Sequence, residues 1–145
     1  MIKTENEYLE AKKRLEEEFR TLEQHELKMK KAGLTKEQMK LALDPLVSFS
    51  LQLREEVAEY EKLKRGQFEP IENLNGLGRM LVALRISKGI MQKELAARMN
   101  VTESQVSRDE RNEYHGAAIE KVQKVLNALD AHLTSQLEDS IRNTI

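Results

Sequence analysis

Cysteine is absent from the 145-residue chain, which excludes disulfides, thiol nucleophiles and thiolate metal sites. Tryptophan is absent too, and only two prolines and six glycines interrupt the pattern, so long helices meet few obstacles and an all-α class is expected. No apolar run approaches the roughly twenty residues that a membrane span needs, and the opening MIKTENEYLE has no leader pattern. The expectation is a cytoplasmic protein with no membrane partner. Three scattered histidines cannot assemble a metal site unaided, so no metal and no cofactor is expected.

What the chain does have is charge, 34% of its residues, unevenly divided. Residues 1–75 hold 14 Lys and Arg against 16 Asp and Glu, a net of -2, whereas residues 76–133 hold 9 against 7, a net of +2. Attraction to phosphates grows with the cations on the contacting face, so a segment at +2 binds nucleic acid weakly as one copy and gains from pairing. A homodimer is expected.

The first half reads as two helices. Thr4 and Glu7 form a capping box that opens a long helix, along which Tyr8, Ala11, Leu15, Phe19, Leu22 and Met29 recur at helical spacing. A stripe this thin cannot hold so long a helix alone, so it needs a partner helix. Gly33 stops it, Thr35 and Gln38 repeat the capping box, and Leu46, Phe49, Leu53, Val57, Tyr60 and Leu63 mark the second seam. Asp44-Pro45 predicts a kink or restart. Residues 1–65 are therefore read as an antiparallel hairpin for dimerisation or partner binding, and residues 66–76, GQFEPIENLNG, as a linker that Phe68 and Ile71 anchor. Residues 77–130 form the next domain. Leu133, Leu137 and Ile141 predict a helical extension over residues 131–145.

Within that domain Gln92 to Asn112, QKELAARMNVTESQVSRDERN, stands out. Leu95, Ala96 and Met99 form a helical stripe, Asn100 suits a left-handed turn, and Thr102 caps a helix from Glu103 to about Arg111 on which only Val106 is plainly apolar. That helix is too polar for a core. Its residue types hydrogen-bond base edges, and an α-helix fits the major groove of DNA. Leu77, Leu81 and Leu84 mark a helix before it, ending at Lys88-Gly89. Ile119, Val122, Val125, Leu126 and Leu129 mark the inner faces of one after it. Ser107, Asp109 and His115 are the residue types of a hydrolytic triad. A nucleophile two residues from its acid on a helix points elsewhere, however, and no oxyanion-hole glycines accompany them, so no enzyme is expected.

From Leu77 to Asp130 the chain resembles the DNA-binding domain of the XRE group, the phage repressor and Cro family. The resemblance is carried by Arg85 in LVALRISKG, Gln92 seven residues on, the turn MNVTES, and SQVSRDE closing with Glu110. It implies a five-helix-type helix-turn-helix domain, a salt bridge between Arg85 and Glu110 joining the first and third helices, and a phosphate contact by Gln92. Asn112 stands where the family usually has glycine, and asparagine can take the same turn. The base-reading candidates are Glu103, Ser104, Gln105 and Arg108: arginine suits guanine, glutamine suits adenine, and an acid accepts from cytosine. Gln92, Lys93, Thr102 and Arg111 are the phosphate candidates, which set register. The implied function is a repressor that binds a double-stranded DNA operator as a homodimer. The order of parts, with IKTENEY and EVAEYE ahead of the linker, more loosely resembles HigA-type antitoxins, which implies an alternative: a protein that binds DNA and also neutralises a toxin protein.

Overall fold

The computed structural model describes residues 1–138. Six helices run in order among them: α1 (Glu5–Lys31), α2 (Lys36–Lys64), α3 (Leu77–Ser87), α4 (Gln92–Met99), α5 (Glu103–Arg111) and α6 (Ile119–Ala128). The described residues contain no strand, so the fold is all-α.

Both long helices start on capping boxes. The Thr4 hydroxyl accepts from the Glu7 amide at 3.2 Å while the Glu7 carboxylate accepts from the Thr4 amide, and Thr35 and Gln38 repeat the exchange. α2 continues through Pro45, so the chain does not restart there, the second of the two outcomes expected at Asp44-Pro45. Proline removes its own amide bond, and the carbonyl left over belongs to Leu41, an exposed residue where water can take its place.

α1 and α2 pack antiparallel, and the seam tapers. At its base Ala11, Val57, Tyr60 and Leu63 are buried, and the Tyr8 and Tyr60 rings stack at 4.9 Å. The Tyr8 hydroxyl donates to Glu61 at 2.7 Å, while Glu5 accepts from the Tyr60 hydroxyl and from Lys64. Towards the far end Phe19 (61% exposed), Leu27, Leu41 (77%), Phe49 and Leu51 stay open to solvent.

The base of the hairpin is continuous with the second domain. Ile2, Val57, Tyr60 and Leu63 share one apolar core with Leu81, Val82, Ile86, Leu95, Val106, Val125 and Leu129, and Phe68 of the connecting segment packs against it. Gly78 of α3 lies where no side chain fits: a Cβ there would sit 2.6 Å from the carbonyl carbon of Glu113 and closer still to its oxygen.

The second domain shows four helices among the described residues, not five. The helical continuation expected past residue 130 is absent over residues 131–138, and the part of it around Ile141 lies outside the described residues. The cause is local. Asp130 takes a left-handed conformation at φ 50°, the Ala131 amide turns back to the Leu126 carbonyl, and Arg98 and Lys88 donate to the carbonyls of Ala128 and Asp130. These bonds satisfy the end of α6 and leave Leu133 and Leu137 exposed.

Candidate nucleic-acid interface

The turn between α4 and α5 depends on Asn100, left-handed at φ 55° and ψ 44°, a conformation that asparagine tolerates better than most residues. Thr102 then caps α5, accepting from the Gln105 amide at 3.2 Å. Val106 and Glu110, four residues apart, face the core. Glu103, Ser104, Arg108 and Arg111 are exposed, with Gln105 and Ser107 half-buried beside them. The helix therefore presents a polar face to solvent.

An ion pair sets its position from below. Arg85 of α3 grips both carboxylate oxygens of Glu110 through Nε and Nη2, the second contact at 2.9 Å, and the two side chains are 4% and 0% exposed. Two charges taken out of water need further hydrogen-bonding partners, and several are supplied here. Arg85 Nη1 donates to the Ile90 carbonyl at 2.9 Å, and Gln92 Nε2 donates to Glu110 Oε2 at 2.7 Å. No buried side-chain nitrogen or oxygen among the described residues lacks a partner. Gln92 thus spends one amide hydrogen inside the domain at the foot of α4, while Lys93 stands exposed beside it.

The hairpin takes part in the same network. Arg85 Nη2 also donates to the Lys3 carbonyl at 2.7 Å, and Lys3 Nζ donates to the Glu110 carbonyl at 2.8 Å, at the C-terminal end of α5. Thr4, Glu5 and Asn6 form one wall of a cleft whose other wall includes Met91, Gln92 and Glu103. Sequence reading missed Lys3, because a residue ahead of the first helical stripe carries no periodic signal.

A second polar chain runs along the outer side of α5. Arg108 Nη2 donates to Gln105 Oε1 at 3.0 Å, Gln105 Nε2 donates to Asp109 Oδ1 at 3.0 Å, and Lys121 Nζ of α6 lies 2.6 Å from Asp109 Oδ2.

Two sequence readings need correction near this face. The turn after α5 does not use Asn112, whose φ is -85°; its left-handed positions are Glu113 and Tyr114, followed by Gly116. The Tyr114 amide is drawn back to the Asp109 carbonyl at 2.8 Å and its ring is buried, which holds the pair in place. Burial, followed by the negative charges of Glu110 and Asp109, raises the Tyr114 hydroxyl well above its ordinary pKa. Ile119, expected on the inner face of α6, is 80% exposed because α6 begins there and packs through Val125, Leu126 and Leu129.

Two helices joined by a left-handed asparagine, the second polar outward and pinned inward by an ion pair, define a helix-turn-helix DNA-binding domain. The family model described as helix-turn-helix matches residues 81–135, and this segment is a helix-turn-helix domain of the XRE family, a DNA-binding regulatory domain. No curated protein and no solved structure matches the chain. No helix among the described residues is long and apolar enough to cross a membrane.

Proposed function

We propose that the chain is a transcriptional repressor that reads a two-fold double-stranded DNA operator as a homodimer, with α5 of each copy in the major groove. The observation that carries this reading is the polar outward face of α5 held over a buried ion pair, since a helix with no outward task has no need of so costly an anchor. Glu103, Ser104, Gln105 and Arg108 face the base edges. Lys93, Arg111, Thr102 and the remaining amide hydrogen of Gln92 meet phosphates, which fixes register. Occupancy of a promoter excludes polymerase, and the protein works in the compartment that holds its DNA.

The far end of the hairpin supports pairing. Phe19, Leu22, Val47 and Leu51 gather on one side, rimmed by Glu16, Arg20 and Arg54, so both charge signs border one apolar patch. A two-fold related copy can set acid against base across such a rim. To read a two-fold operator, such a pair needs its two α5 helices on half-sites one helical turn apart, roughly 34 to 36 Å.

The alternative, an antitoxin, draws on Leu9 and Leu27. Both are exposed, and they share a second face of α1 away from the Leu15 seam, available to another protein. Selecting bound duplex from a random pool with the full chain tests the main reading. A symmetric motif spanning one helical turn supports it, and failure to enrich any sequence at low salt defeats it.

A further inference from the structure

Gln105 is held between two charges of opposite sign, and this fixes which way round its amide stands. A glutamine amide has two donor hydrogens on nitrogen and two acceptor positions on oxygen. Asp109 takes one hydrogen from Nε2 at 3.0 Å and Arg108 gives one hydrogen to Oε1 at 3.0 Å. One N–H and one oxygen lone pair remain, the donor and acceptor that an adenine presents a need for at N7 and its amino group. Turning the amide over would set its oxygen against the Asp109 carboxylate and its NH2 against the Arg108 guanidinium, so both charges oppose the flip. Lys121, reaching across from α6, holds the carboxylate in place at 2.6 Å.

We propose that Asp109, braced by Lys121, is a specificity-determining positioning residue: it locks the Gln105 amide in the orientation that selects adenine and touches no base itself. The inference rests on the reading of Gln105 as a base contact. A free amide could offer either edge and would also accept the paired acceptors of guanine or the single acceptor of thymine. Asp109 would thus act on selectivity, with little effect on phosphate binding.

The test uses the full-length chain and the duplex it selects, with single base pairs varied one at a time. The wild type is expected to show an adenine preference at one position of each half-site. In Asp109→Ala that preference should narrow about five-fold or more at this position alone, with other positions and the salt dependence unchanged. Asp109→Asn keeps an acceptor and should recover part of the ratio. Lys121→Met frees the carboxylate from the other side and should narrow the ratio more weakly, so the outcome does not hang on one variant folding. A ratio that stays within two-fold of wild type in Asp109→Ala, or flattens equally at every position, overturns the inference and leaves base reading by α5 intact. A wild type with no base preference anywhere overturns both.

Discussion

Removing the Glu110 carboxylate should cost more stability than any surface change on α5. Glu110 is fully buried and accepts from Arg85 Nε, Arg85 Nη2 and Gln92 Nε2. In Glu110→Ala the guanidinium of Arg85 stays buried with only the Ile90 and Lys3 carbonyls as partners. Stranding one member of a buried pair costs about 3 to 5 kcal/mol, against a total of about 5 to 15 kcal/mol for a typical domain. With a slope near 2 kcal/mol per molar, urea unfolding should therefore show a midpoint roughly 2 M below wild type. The double variant Arg85→Met with Glu110→Met removes both charges and refills the volume, so it should lose less than Glu110→Ala alone, which is the signature of a pair and not of two independent contacts. A Glu110→Ala midpoint within about 0.5 M of wild type, or a double variant that loses the sum of two singles, would refute the reasoning.

Three further outcomes follow from the packing and the charges. Gly78→Ala drives a Cβ into the Glu113 carbonyl and should destabilise by about 1 to 3 kcal/mol in the same denaturation assay, whereas the change at Gly33, where nothing lies within 4 Å, should produce no clash and only turn strain. Burial, with Glu5 beside it, pushes the Tyr60 hydroxyl up to about 12. The neutral form is favoured by folding, so its contribution is intact below the ordinary value of about 10 and is lost as pH rises through about 12; a spectrophotometric titration should show Tyr60 ionising there, and ionisation near 10 in the folded protein would contradict it. Replacing Phe19 and Leu51 together by glutamate should turn a dimer into a monomer in sedimentation with little loss of monomer stability, and a parent protein already monomeric at high concentration would remove the pairing surface.

The helix-turn-helix segment was legible because each of its cues acts locally. Asn100 tolerates the left-handed turn, Thr102 caps, and Val106 alone among apolar residues marks the inward face of α5. The hairpin was legible from two capping boxes and two stripes. What failed depends on the balance between a local breaker and its surroundings. Pro45 sits where the orphaned carbonyl meets solvent, so α2 continues, and Leu133 and Leu137 keep a helical spacing that the turn at Asp130 cancels. The bonds from Lys3 to the ion pair were invisible because contacts between residues 3, 85 and 110 leave no mark in spacing. Gly78 carried a readable hint, a glycine inside a largely apolar helix, which signals close approach of another backbone.

The most direct test of α5 as the major-groove element is methylation interference on the selected duplex. Methyl groups at guanine N7 project into the major groove, where Arg108 would grip O6 and N7. Binding should be lost when guanines within the half-sites are methylated, and Arg108→Ala should remove the sensitivity at one guanine while the others keep theirs. Binding that tolerates N7 methylation throughout the half-sites would contradict entry of α5 into that groove.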